Sequence, residues 1–437
     1  MTLFLDFFNK KIIYDFSLLF SMERKIMYGF KKFYNFEFAI NEFRKRLSLS
    51  EESEIVETKN SVGRYLFKDI YSNIDLPPFD RSVVDGYAVR SLDVSGASQT
   101  NPILLKIVGK IFPDTKENGI IGKDQAMEIF TGGRLPDGAD CVIMAEDCSR
   151  EGNDLLVYKQ CYKFQNVSRK GEDFVKGDLV IRRGTKIRPF HIGALISLGI
   201  KEIEVFRKAK LGVLSTGNEL VEIGNNVGTV DSTRPMIISA IEEYGLDPID
   251  LGIVQDEIEK IKDKILEGIS KCDMLIITGG TSLGEHDLVP DAVEKAINQK
   301  MIVHGISMRP ARTTGFTFYG KKPILLISGF PVAAYIAFTV FFKEFIEVFY
   351  GTKIDPVPII RGKLTMRWPN QAGVRSFVRV IVKKQGNEYM IEPLRLTGSG
   401  ILSTLTKANG ILVIDENSEG FEEGDYVDVI LTQPPEV

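Results

Sequence analysis

Leu211-Gly212-Val213-Leu214-Ser215-Thr216-Gly217 is a short apolar run that ends in two hydroxyls and a glycine, and the same design returns twice downstream. Met274-Leu275-Ile276-Ile277-Thr278-Gly279-Gly280 and Pro323-Ile324-Leu325-Leu326-Ile327-Ser328-Gly329 repeat it. Helical periodicity is expected at 235–244, 257–270, 288–298 and 331–349, between and after these runs. Apolar strands that alternate with helices predict a three-layer α/β domain with a mainly parallel sheet.

The loops leaving such strands gather at the carboxyl edge of the sheet, where ligands bind. Here they are Ser215 to Glu219, Thr278 to Asp287, and Ser328-Gly329-Phe330-Pro331. Their glycines let backbone amides approach an anion, the hydroxyls add donors, and each following helix start adds positive potential. One glycine after a strand is usually only a turn. Three such loops in one domain point to a phosphate or another oxyanion. Glu219, Asp231, Asp256 and Asp287 are close in sequence and would repel that ligand without a cation, which motivates a Mg2+ site. The segment has neither a P-loop pattern nor G-x-G-x-x-G, so an ordinary nucleotidase or dinucleotide site is not supported. Arg309 and Arg312 could hold an anion, with solvated surface charge as the plain alternative.

On the amino-terminal side, 36–49 and 189–198 read as helices, and short strands and turns lie between them. Asp85-Gly86 between apolar residues predicts a tight hairpin, and Thr131-Gly132-Gly133 a turn. After residue 356 the period returns to two, as in Tyr426-Val427-Asp428-Val429-Ile430-Leu431, and predicts a small β-barrel or sandwich. Nine of the 28 Phe fall in the first 38 residues, at roughly helical spacing. Lys10, Lys11 and Asp15 interrupt that stretch and no small-residue cleavage site follows, so it is not a signal peptide. A start at Met22 or Met27, or a loosely attached tail, is the expectation; a membrane-surface helix is the lesser alternative.

Composition limits the function. The 437 residues are 44% hydrophobic with a net charge of -4, which argues against a nucleic-acid partner. His191, His286 and His304 are scattered, and Cys141, Cys148, Cys161 and Cys272 form no C-x-x-C pair, so zinc and iron–sulfur sites lack their ligand spacing. Four thiols in so long a chain read as reduced and cytoplasmic. Residues 332–342, the longest apolar stretch after the tail, are far shorter than the roughly 20 residues needed to span a bilayer.

Several strings then occur in order: LPPFDRSVVDGYAV (76–89), IFTGGRLPDGADCVIMAED (129–147), NVSRKGED (166–173), LGVLSTGNELVE (211–222), VDSTRPM (230–236), LIITGGTSLGEHD (275–287), SGFPVAAYIAFTVF (328–341) and ANGILVID (408–415). Together they resemble the molybdopterin molybdenumtransferase family, over residues 36 to 433. The resemblance implies an elongated linking domain (31–70 and 165–206), an inserted β domain (71–164), an α/β molybdopterin-binding domain (207–352) and a C-terminal β-barrel (353–437), with 1–30 as an extra tail. It also implies insertion of molybdenum from molybdate into adenylylated molybdopterin, with Mg2+ assistance and release of AMP. The implied assembly is a homodimer whose site lies between the α/β domain of one subunit and the inserted β domain of the other. The molybdopterin adenylyltransferase and cofactor-accepting enzymes are implied protein partners.

By the same resemblance Asp85 is the essential acid reaching into the partner's site, Thr131 an anion or pterin contact, and Glu219 and Asp231 family acids. Gly279, Gly280, Ser282 and Gly284 are implied to cradle pyrophosphate, with Asp287 a cation or pterin contact and Asp256 a less secure match. Ser215, Thr216, Gly217, Ser328 and Gly329 complete the expected cofactor-binding set. Where the family carries a Lys-Pro-Gly-Lys-Pro run, this chain has Arg309-Pro310-Ala311-Arg312-Thr313. Arg keeps the charge as a bidentate fork but not as a compact ammonium, which leaves tungstate beside molybdate as the oxyanion. Adenylylation of molybdopterin and a non-catalytic scaffold are the alternative functions.

Overall fold

The computed structural model describes residues 33–224, 227–281, 288–394 and 398–436. They divide into two compact units, Ser53–Val205 and the remainder. The expected tail, residues 1–30, lies outside the described residues.

The Ser53–Val205 unit is built on a six-stranded sheet of β1 (Gly86–Val89), β2 (Ile103–Ile111), β3 (Gln125–Ile129), β4 (Cys141–Met144), β5 (Cys148–Glu151) and β6 (Asp154–Val157), in the order β4-β1-β3-β2-β6-β5. Asp85-Gly86 is not a hairpin turn. Gly86 begins β1, which pairs antiparallel with both β3 and β4. A Cβ on Gly86 would stand 1.9 Å from the Ile143 carbonyl oxygen, so the glycine is required by close backbone approach rather than by a turn. A second cluster, around Leu66, Ile181, Ile187 and Leu195, packs the helix Pro189–Ser197 of this unit.

In the other unit, α1 (Phe36–Arg46) precedes a six-stranded sheet of β7 (Lys210–Thr216), β8 (Asp247–Val254), β9 (Met274–Thr278), β10 (Val303–His304), β11 (Gly315–Tyr319) and β12 (Lys322–Ile327). The order is β8-β7-β9-β12-β11-β10. The first four strands are parallel and the last two antiparallel. Helices α2 (Thr233–Glu243), α3 (Ile258–Lys271), α4 (Leu288–Ile297) and α5 (Pro331–Phe349) form within two residues of the expected bounds. Strands β7, β9 and β12 are buried almost throughout, which is why they read as unbroken apolar runs. Phe43 of α1 packs against Phe316, Phe318 and Phe341, with ring centroids 4.9–5.6 Å away. Burying a ring of this size contributes about 1.5–3 kcal/mol.

The barrel consists of β13 (Ile359–Leu364), β14 (Arg375–Gln385), β15 (Glu388–Pro393), β16 (Gly410–Ile414) and β17 (Tyr426–Leu431). It closes because β14 pairs with both β15 and β16. Buried Arg375 reaches Glu37 of α1 at 2.9 Å, Asp415 at 3.0 Å and Glu416 at 2.5 Å, which ties the barrel to the helix. Among the described residues no helix is long and apolar enough to cross a membrane.

Candidate functional site

The carboxyl ends of β7, β9 and β12 lie side by side because the three strands are neighbours in one parallel register. Ser215-Thr216-Gly217, Gly279-Gly280 and Ser328-Gly329 are thereby brought together. Gly279 and Gly280 both have positive φ, and a Cβ at Gly279 would stand 2.3 Å from the Thr216 carbonyl oxygen. A Cβ at Gly329 would meet Gly279 Cα at 3.3 Å. Side chains are excluded at this junction, so main chain forms the rim. The Gly329 carbonyl is fixed by Thr233 Oγ1 at 2.7 Å, and the Phe330 amide donates to Ser328 Oγ at 3.1 Å.

The two hydroxyls of the β7 loop have different positions. Ser215 Oγ and Thr278 Oγ1 share a buried hydrogen bond of 2.9 Å inside the sheet. Thr216 Oγ1 is buried with no hydrogen-bond partner among the described residues, directly under Gly280, whose Cβ would lie 2.9 Å from it. An unsatisfied buried hydroxyl costs about 1–3 kcal/mol, so a ligand atom that pairs with it gains that term. Ser282, Gly284 and Asp287 lie outside the described residues.

The acids differ as well. Asp231 accepts from the Arg234 backbone at 3.1 Å and from its Nε at 3.0 Å, so both carboxylate oxygens are engaged at the start of α2. Arg234 also pairs with Glu222 and Asp250. Asp256 exchanges bonds of 3.1 Å with Asn218: the Asn218 amide donates to Asp256 Oδ2, and the Asp256 amide to Asn218 Oδ1. Glu219 is exposed, and its carboxylate folds back over Gly217. Neither Glu219 nor Asp256 has a cationic partner among the described residues. No group of three or more His, Cys, Asp or Glu among those residues is arranged to hold a metal. Mg2+ needs only one or two carboxylates when phosphate oxygens complete its shell, so Glu219 and Asp256 fit it and Asp231 does not. Burial pushes the Cys272 thiol up to about 11 and the Cys148 thiol up to about 12, so both remain protonated at neutral pH.

Met308–Arg309 pairs with Arg375–Ser376 at the start of β14, which carries the basic loop to the barrel. A pocket there is lined by Arg309, Pro310, Trp368, Ser376 and Arg379. Arg379, 5% exposed, has its pKa lowered by burial and then by the neighbouring Arg309, a surrounding that favours an anion. Sequence reasoning missed Arg379. Its signal was an arginine inside the otherwise apolar run Phe377-Val378-Arg379-Val380. Arg312 lies 5.2 Å over the Phe33 ring and 3.4 Å from Gln371. Ala311 stands at φ 82°, a left-handed conformation that suits the glycine expected of the family.

In the Ser53–Val205 unit the structure joins two residues 46 positions apart. Asp85 Oδ1 accepts from the Thr131 amide at 2.7 Å and from its hydroxyl at 2.8 Å. The β1–β3 register, which pairs Gly86 with Ile129, sets this contact. The amide bond first, then the hydroxyl bond, hold the exposed Asp85 carboxyl below its ordinary value.

Residues 34–199 match the MoeA N-terminal region (domains I and II), 212–348 a probable molybdopterin binding domain, and 361–432 the MoeA C-terminal region (domain IV). A putative molybdopterin biosynthesis protein of Methanocaldococcus jannaschii is 37% identical over 392 residues, 87% of this chain and 92% of that protein. The molybdopterin molybdenumtransferase of Bacillus subtilis is 30% identical over 87% of this chain and 90% of its own length. The molybdopterin biosynthesis moeA protein from Pyrococcus horikoshii OT3 has a crystal structure that superposes with a TM-score of 0.80 at 30% identity, covering 92% of this chain and 100% of that one. Inserted sheet, glycine-loop domain and closed barrel follow one another as the matched regions do, and the chain belongs to the molybdopterin molybdenumtransferase (MoeA) family.

Proposed function

We propose that this protein is a cytoplasmic, homodimeric enzyme that inserts molybdenum from molybdate into adenylylated molybdopterin and releases AMP, with Mg2+ as cofactor. The observation that carries the reading is the buried Thr216 hydroxyl, without a hydrogen-bond partner among the described residues, beneath a rim of glycine main chain. That arrangement suits the phosphate oxygens of the adenylylated substrate.

Gly217, Gly279, Gly280 and Gly329 pack too closely on their neighbours for side chains, so the rim presents main chain to these oxygens, and Thr216 donates to one of them. Glu219 and Asp256 would hold Mg2+, which would supply neutralisation of the phosphate charge. Arg309 and Arg379 receive the molybdate oxyanion in their pocket, with Arg312 beside it. Asp85 and Thr131 come from the partner subunit. A depressed pKa suits Asp85 to remain a charged carboxylate that orients water or a cation, rather than to donate a proton.

Purified protein given adenylylated molybdopterin, Mg2+ and molybdate should release AMP, measured by chromatography, and should sediment as a dimer. Parallel reactions with tungstate identify the preferred oxyanion. No AMP with either oxyanion would overturn the reading.

A further inference from the structure

Phe330 directly follows the Ser328-Gly329 rim and precedes Pro331 at the start of α5. The residue is 59% exposed. An isolated exposed aromatic is ordinary, but the mounting of this one is not. The Phe330 amide is held by Ser328 Oγ, and Gly329 rests on Gly279. The next turn is clamped by the Val332 amide, which donates to the Ser399 carbonyl at 3.1 Å. Gly400 abuts one side of the ring: a Cβ there would stand 3.0 Å from Cδ1 and 3.4 Å from Cε1. Backbone from the barrel therefore closes one side, and the remainder of the ring is open beside the glycine loops.

A phenyl ring offers no hydrogen bond, so it recognises a ligand by area and by its π-face. Fixed in advance by its neighbours, it loses little conformational freedom when a ligand arrives. We propose that Phe330 is a stacking platform for a planar heteroaromatic ring of the substrate bound at this edge. The assignment rests on the reading that the edge takes adenylylated molybdopterin, which carries two such rings, the pterin and the adenine. Stacking of this kind changes affinity about ten- to a hundredfold per ring. The binding is equal in ground and transition states, so its loss raises KM and leaves kcat nearly unchanged.

The test compares wild type, Phe330→Ala and Phe330→Tyr. Calorimetric titration with AMP and, separately, with pterin-6-carboxylate identifies the ring. One of the two probes should bind Phe330→Ala about tenfold or more weakly and bind Phe330→Tyr as it binds wild type. Thermal midpoints should agree across the three proteins, since the side chain is exposed. In the AMP-release assay Phe330→Ala should raise KM by a similar factor. Equal affinity of Phe330→Ala and wild type for both probes, or no binding of either probe to wild type, overturns the platform. Wild type that releases no AMP yet shows Phe330-dependent binding overturns the proposed reaction and leaves the platform standing.

Discussion

Asp231 and Asp85 both stand among the acids selected from the sequence, and their surroundings are opposite. Asp231 is 6% exposed at the start of α2, with both oxygens taken by Arg234. Asp85 is exposed and, among the described residues, its carboxylate is held by the neutral amide and hydroxyl of Thr131. A carboxylate already matched by a guanidinium inside the fold has little charge left for a ligand. One oriented by neutral donors keeps its charge and has a fixed direction. The family resemblance selects both acids; their hydrogen-bond partners tell them apart.

That separation can be broken by substitution. Asp85→Asn keeps an oxygen for the Thr131 amide, so the fold and thermal midpoint should be unchanged while AMP release falls about a hundredfold or more. Intact turnover would remove Asp85 from the site. Asp231→Ala should act in the other direction: it removes one partner of a buried pair and should cost about 3 kcal/mol in urea unfolding. Glu222 and Asp250 still hold Arg234, so a loss below about 1 kcal/mol would show that those partners suffice.

The adjacent hydroxyls of Ser215 and Thr216 give a finer version of the same contrast. Thr216→Val removes a hydroxyl that has no partner among the described residues, so stability should hold or rise slightly while substrate affinity drops about tenfold, the effect of one hydrogen bond to a charged group. Ser215→Ala should instead lower stability by about 1 kcal/mol and leave affinity unchanged. Measured Kd and unfolding midpoints for both variants check this, and the reverse pattern would move the ligand contact to Ser215.

The sequence-level outline succeeded where burial leaves a periodic trace. Strands β7, β9 and β12 are covered on both faces and read as continuous apolar runs, and the helices after them carry clear 3.6-residue periodicity. Strand β8 escaped because it is an edge strand: Asp247, Pro248 and Asp250 are tolerated where one side faces solvent, and they mask its pattern. Asp85-Gly86 misled because a glycine needed for close strand approach is written the same way as one needed for a turn. The Asp85–Thr131 contact spans 46 positions and depends on strand register, which residue types do not encode locally. The sequence could nominate both residues; their pairing exists only in the sheet.

The smallest effect tests the cause of Asp85's charge. Its folded-state pKa lies below the ordinary aspartate value of about 3.9, so the hydrogen bonds from Thr131 contribute fully above that pH. Their contribution fades as pH falls through the lower folded value. Thr131→Val deletes the hydroxyl donor and keeps the amide, the larger of the two causes. Asp85 should then titrate at higher pH than in wild type but still below the ordinary value, as followed by NMR of carboxyl-labelled aspartate. At neutral pH the carboxylate remains charged in both proteins, so any lost turnover in Thr131→Val must come from orientation rather than protonation. An unmoved titration would mean that the amide alone sets the charge, and that the Thr131 hydroxyl is free to face the ligand.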